Sequence, residues 1–402
     1  MLIQHLIKTR KHYVQFLTTA HESLSLFNLQ FKKDNMESNR RLWLKQIGLG
    51  VAGLGLANIQ PFALPTQGFL KFSPNDLPIK LSSNENPYGP SPLARAAMIE
   101  SINISNRYNG QLTKELIQTL SEKDNVKTNN ILMGAGSTEM LDLVTRLSAL
   151  KKGSFIIADP SYNNWTNTAE KLGLTKIKVP LTADKKLNLD AMLKAITPDT
   201  KLIYICNPNN PTGSICDRDQ LVKFINEATK KTIVLVDEAY IDFTEQQSLS
   251  AVAIENKNLI IVKTFSKIYG LAGARIGYAI ANDKTIEQLS ELKTWSIGGI
   301  SVASLAAALA SLKDEKFASE TYSLNQKARQ YTTEHLKKLN LVCIPSNTNF
   351  LYFSLTNYKK DYFEQLKTNN IIGTKMYEEQ GKWTRITVGT MQEMQKFISA
   401  IV

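Results

Sequence analysis

The sequence predicts an α/β protein whose main domain holds a mostly parallel sheet, joined to a smaller α+β domain. Three observations carry that expectation. From about residue 130, short β-branched runs alternate with helical patterns, the signature of βαβ units. Beyond about residue 290 the alternation gives way to long helical stretches and then isolated strands. The 402 residues, 43% hydrophobic and 21% charged, suffice for a large core shared between two domains.

Seven strands are expected in the main domain, at 131–133, 154–158, 175–179, 201–206, 232–236, 258–263 and 274–280. Helices are expected at 301–312 and 316–339, then strands at 349–353 and 385–388. The implied division is an extension at 1–35, a leader at 36–65, an arm and part of the small domain at 66–105, the large domain at 106–292 and the small domain at 293–402.

Net charge is +12, of which +5 falls in residues 1–65 (eight Lys or Arg against three acids). The remaining +7 is spread over 337 residues without a basic stripe, which argues against a nucleic-acid face. Of four histidines, only His335 lies outside the N-terminal extension, and it sits in a charged helical stretch. The three cysteines, Cys206, Cys216 and Cys343, have no metal-type spacing. A Ser-His-Asp triad, a Cys-His pair or a multi-His zinc site is therefore not expected, and no metal is expected.

Around Met36, itself a candidate start, the chain reads Asn39-Arg40-Arg41-Leu-Trp-Leu-Lys45 and then a Gly-rich apolar stretch to Ile59. Paired arginines before a short, moderately apolar segment resemble a twin-arginine export signal. The stretch is too short for a stable membrane span. A periplasmic destination is expected, with a plain basic leader and a cytoplasmic location as the alternative.

Four motifs follow in order. Gly134-Ala-Gly136-Ser137-Thr138 stands between a strand and a helix, where free amides and the helix dipole suit a phosphate, although such a turn also serves as a simple cap. Asn207-Pro-Asn-Asn210-Pro-Thr-Gly213 directly follows the apolar run Leu202 to Cys206, either as turn punctuation or to offer Asn210 as a hydrogen-bond donor. Asp237-Glu-Ala-Tyr240 ends another, and an acid there is costly unless paired with a cation or used as an N-cap. Thr264-Phe-Ser266-Lys267 follows the next run, with Arg275 eight residues on. A lysine so placed is poorly solvated, which lowers its pKa toward imine formation, while Ser266 and Arg275 suit a phosphate.

Together these motifs resemble the class I/II aminotransferases of fold type I, most closely the histidinol-phosphate aminotransferase subgroup. The likeness runs over about residues 80–400 and includes Ser83-Asn-Glu-Asn86-Pro-Tyr88-Gly-Pro90, Asn106-Arg-Tyr108, Asn210-Pro-Thr-Gly213, Asp237-Glu-Ala-Tyr240, Ser266-Lys267, Arg275 and Arg385-Ile-Thr-Val-Gly-Thr390. It implies the PLP-transferase fold type I and pyridoxal 5'-phosphate held by Lys267 as a Schiff base, Lys267 also moving the substrate α-proton. It implies Asp237 on the ring nitrogen and Asn210 and Tyr240 on the phenolic oxygen. Gly136, Ser137, Ser266 and Arg275 would hold the phosphate, with Thr264 a further candidate; Thr138 would also bind the cofactor, and Tyr162 rather than Trp165 would lie against the ring. Arg385, with Asn210, Asn86 and Tyr88, would meet the substrate, and Tyr108 would reach into a neighbouring subunit, implying a homodimer with shared sites. The implied reaction is ping-pong transfer of an amino group between an amino acid, or a histidinol-phosphate-like amine, and a 2-oxo acid. Decarboxylation or elimination on the same cofactor is the alternative, and a non-catalytic binding protein is a remote one. The chain departs from the subgroup in carrying Asn109 after Tyr108 and Lys375 where a second substrate-gripping arginine stands.

Overall fold

The structure, a computed structural model, describes residues 77–294 and 299–402. The extension at 1–35 and the leader at 36–65 lie outside the described residues. Those that are described fall within one compact unit. Among them no helix is long and apolar enough to cross a membrane.

A short strand β1 (Ile79–Lys80) precedes the main sheet, whose strands are β2 (Ile131–Gly134), β3 (Gly153–Asp159), β4 (Leu174–Pro180), β5 (Thr200–Cys206), β6 (Ile233–Asp237), β7 (Leu259–Thr264) and β8 (Gly277–Ala281). Their spatial order is β2-β8-β7-β6-β5-β3-β4. Only β8 runs against its neighbours; the other pairings are parallel. The central strands are near-continuous apolar runs because helices cover both faces. Ile203, Ile205, Val234, Val236 and Ile261 enter one core, whereas the alternating Leu202, Tyr204, Leu235, Ile260 and Val262 enter the other.

All seven expected strands form. The last begins three residues later than expected because Arg275 has φ +52°, a left-handed conformation that no extended strand accommodates. Register sets Cys206 beside Asp237 and Asp237 beside Val262, so the motif residues emerge along one rim, at the carboxyl ends of parallel strands.

The smaller sheet contains β9 (Cys343–Ile344), β10 (Phe350–Ser354), β12 (Met376–Glu378) and β13 (Trp383–Thr387) in the order β12-β13-β10-β9. Strand β11 (Ile371–Ile372) pairs instead with β1, in parallel. One face of the smaller sheet buries Leu351, Phe353 and Ile386 with the helix Met391–Ile401. The other face turns Phe350 and Arg385 toward the rim of the main sheet, where Phe350 packs on Tyr240 and Arg385 bonds Asn210.

The residues just after 293, expected in the small domain, pack in part on the main core. Helix Val302–Lys313 sends Leu305, Ala307, Ala308 and Leu309 into the main core. An Ala-rich helix that is apolar all round gives no facial signal of which core it enters. Asp314 ends that helix and caps the long helix Glu315–Lys338 by accepting from the Phe317 amide; Ala318 and Tyr322 near its start still pack on the main core, and Ala328 and Leu336 lie in that of the smaller sheet.

Candidate active site

The rim and the inward face of the smaller sheet enclose a cavity of about 520 Å³. Four groups of side chains line it.

At one end Gly136 caps helix Ser137–Ser148 with φ +81° and with no side chain to accept the helix amides. A Cβ at Gly136 would land on the Arg275 guanidinium, and one at Gly277 would meet the Ser137 amide. The turn is therefore a close-packed cradle that only glycine permits. Arg275 Nη1 donates to Ser266 Oγ at 3.3 Å, and Thr264 Oγ1 donates to the same oxygen at 2.9 Å. Hydroxyls, helix amides and a guanidinium converging on one spot suit a phosphate ester.

Along the floor, Asp237 is 3% exposed. Its carboxylate accepts from the Tyr204 hydroxyl at 2.9 Å and from the Ala239 amide at 3.0 Å. Burial raises its pKa, and these bonds together with the Lys267 charge only partly counter that. Such a carboxylate is completed by a cation in the cavity, as a protonated ring nitrogen would be. Tyr162 and Thr138 form the wall beside it.

Opposite, the buried Tyr240 hydroxyl accepts from Asn84 Nδ2 at 2.9 Å and from Asn210 Nδ2 at 3.4 Å. Burial raises its pKa, so it stays a phenol. Lys267 Nζ donates to the Ser83 carbonyl at 3.2 Å and lies 5.6 Å from the centre of the Tyr240 ring. Burial, with Arg385 second, pulls its pKa down to about 8, against the opposing pull of Glu85 and Asp237.

At the far end, Arg385 Nη1 donates to Asn210 Oδ1 and Nη2 to the Ser82 carbonyl, each at 2.6 Å, while its buried Nε has no hydrogen-bond partner. Lys375 and Tyr377 line the cavity beside it.

Most residues expected at the site therefore meet there, but Asn86 and Tyr88 do not. Asn86 bonds the Ile268 carbonyl at 2.8 Å and the Tyr88 amide at 3.0 Å, and both residues line a separate small cavity. Asn84 takes the place expected of Asn86, because its φ of +53° breaks the alternation along Ser83-Asn-Glu-Asn86. Tyr204, hidden within an apolar run, also escapes sequence reading; only register reveals that it shares a face with Cys206 beside Asp237. Tyr108 lies outside the cavity lining and is 82% exposed.

The family model for aminotransferase class I and II matches residues 77–401. A histidinol-phosphate aminotransferase of Moorella thermoacetica is 33% identical over 334 residues, spanning 80% of this chain and 84% of that protein. One from Caldicellulosiruptor saccharolyticus is 34% identical over 327 residues, spanning 80% and 90%. The crystal structure of histidinol-phosphate aminotransferase from Sinorhizobium meliloti in complex with pyridoxal-5'-phosphate aligns with a TM-score of 0.74, covering 86% of this chain and 98% of that one. At 24% identity this last likeness speaks for the fold.

The depressed lysine makes a prediction about pH. A lysine whose charged form is disfavoured releases its proton early, so cyanate should carbamylate Lys267 in the cofactor-free chain with a rate that climbs through pH 8. Peptide mass spectrometry after timed exposure checks this, and a profile matching that of the surface lysines would contradict it.

Proposed function

The chain belongs to the aminotransferase class I and II family, and on that premise we propose that it exchanges an amino group between an amino acid, or an amine resembling histidinol phosphate, and a 2-oxo acid by a ping-pong route. It is a pyridoxal-phosphate-dependent transaminase. The observation that carries the reading is the convergence on one cavity of the Lys267 amine, the buried Asp237 carboxylate and the Thr264–Ser266–Arg275 cradle.

The donor set fits the cofactor. In this reading the cradle of Gly136, Ser137, Ser266 and Arg275, with Thr138 and Thr264, holds the phosphate. Asp237 keeps a ring nitrogen protonated, Tyr162 lies against the ring, and Asn210 and Tyr240 hydrogen-bond the phenolic oxygen. Lys267 holds the cofactor covalently through Nζ. Pyridoxal phosphate, when bound, supplies an electron sink for the carbon that loses its proton.

The chain's own part is proton and anion handling. Once freed from the cofactor by the incoming amine, Lys267 Nζ would take the α-proton and return one during each half-reaction, burial favouring its neutral form. Arg385 is the residue for the substrate carboxylate, since a planar fork pairs bidentately with one. Lys375, exposed on the cavity wall beside it, adds a point charge for a further anionic group, and this supports a substrate such as a phosphate monoester.

A homodimer with shared sites and export through the leader complete the proposal. The prominent exposure of Tyr108 supports the first and the Arg40-Arg41 pair supports the second.

Three outcomes are expected. Lys267→Ala should abolish turnover while the protein still binds the cofactor, seen as absorbance retained after gel filtration; transamination at the unsubstituted rate would sink the assignment. Co-refolding Lys267→Ala with Tyr108→Ala chains should restore activity that neither has alone, because a hybrid dimer contains one complete site. Arg40→Lys with Arg41→Lys should hold the protein in the cytoplasm on cell fractionation, and unchanged export would remove the twin-arginine reading.

A further inference from the structure

The wall of the cavity next to Arg385 rests on a latch between the two sheets. Strand β12 is three residues long and pairs with β13 only at Met376 and Glu378, with an irregularity between them. A bulge of this kind re-aims the intervening side chain, here Tyr377. The Tyr377 ring lines the cavity, with its centre 5.5 Å from Arg385 Cζ; Phe350 contacts the same guanidinium at 5.3 Å.

So short an edge strand is weakly held by its ladder, and Glu378 supplies what the ladder lacks. Its carboxylate accepts from Lys185 Nζ at 2.7 and 3.0 Å and from the Tyr352 hydroxyl at 2.6 Å. Lys185 belongs to the turn after β4, in the main domain, and has φ +61°. Its carbonyl accepts from Ser214 Oγ at 2.8 Å, four residues from Asn210. Lys185 and Glu378 expose only 17% and 24% of their side chains, so water competes less for this pair than for an open surface pair.

We propose that Tyr377 is a substrate-positioning residue: its ring holds the Arg385 guanidinium in the plane that receives a carboxylate, and the Glu378–Lys185 latch holds Tyr377 in place. The inference rests on the reading of Arg385 as the carboxylate site. An aromatic face against a guanidinium restrains its plane while leaving the in-plane N–H groups for an anion. The hydrogen bonds to Asn210 and Ser82 fix the two Nη atoms, and the Tyr377 and Phe350 rings add restraint on the plane of the fork. Glu378 and Lys185 touch no substrate in this scheme; they act through Tyr377.

Calorimetric titration of the pyridoxal-phosphate-loaded protein with 2-oxoglutarate reads the site without turnover, because that form carries no amino group to transfer. Tyr377→Ala and Glu378→Gln should each weaken binding by about tenfold, and Tyr377→Phe, which keeps the ring, should recover most of it. Lys185→Met combined with Glu378→Gln should be no weaker than either alone, as expected for two halves of one latch. Thermal midpoints measured alongside separate positioning from stability: Tyr377→Ala should lose affinity with its midpoint nearly unchanged. Should Glu378→Gln fail to fold, Tyr377→Ala decides the matter, since it removes a half-buried ring from an edge strand. Affinity preserved in Tyr377→Ala, or lost equally in Tyr377→Phe, overturns the proposal. Arg385→Leu distinguishes the two levels. If it retains 2-oxoglutarate binding, or if the unsubstituted protein has none, the carboxylate reading falls and takes the inference with it. If it loses binding while Tyr377→Ala does not, only the inference falls.

Discussion

Burying Asp237 is the constraint on which the rest of the site depends. A carboxylate 3% exposed at the end of a central strand loses nearly all its hydration, and its hydrogen-bond donors, Tyr204 and the Ala239 amide, are neutral. Neutral donors orient a charge without cancelling it, so the charged form stays costly until a cation arrives. Lys267 is the nearby cation, yet burial and Arg385 work against its own charge. Both groups are thus held away from the ionisation they prefer in water, and a cofactor offering a protonated ring nitrogen to one and a carbonyl carbon to the other relieves both. Sites that store perturbed ionisation in this way are built for proton transfer.

The strand architecture makes that arrangement rigid. Asp237, Thr264 and Cys206 share a rim because parallel register fixes them there, with residues on both sides locked in two cores. Arg385 arrives from a different sheet, and Asn210 joins the two. Its Oδ1 accepts from Arg385 while its Nδ2 reaches Tyr240, so a single amide links the Arg385 end of the cavity to the phenol beside Lys267. Movement of the smaller sheet would therefore be felt at Tyr240.

Much of this is legible in the sequence, for a physical reason. A polar residue at the end of an apolar β-run must lie at a sheet rim, which places Asp237 and Thr264 there; Asn210 and Lys267 join them through what the family resemblance implies. Features that depend on backbone conformation or register are not legible in the same way. Asn84 and Asn86 are indistinguishable as letters, and the left-handed turn at Asn84 decides which of them reaches Tyr240. Tyr204 reads as one more apolar position within 201–206. Helix Val302–Lys313 reads as part of the small domain, yet it packs in the main core, because an Ala-rich surface fits equally well on several partners.

The two cations at the far end divide their work by chemistry. Arg385 is 6% exposed, held by two short bonds and flanked by aromatic rings, so its orientation is set before anything binds. Lys375 is exposed, on a flexible stem, with no fixed plane. A preorganised fork discriminates by shape, whereas a mobile ammonium responds to charge alone and tolerates variation in the distance and geometry of its partner. Under the proposed reading, the cavity would be strict about the carboxylate at Arg385 and permissive about an anion at Lys375. A transaminase must accept two substrates in turn at one site, and on that reading the asymmetry would serve it: the rigid arginine would read the element the two share and the lysine the element that differs.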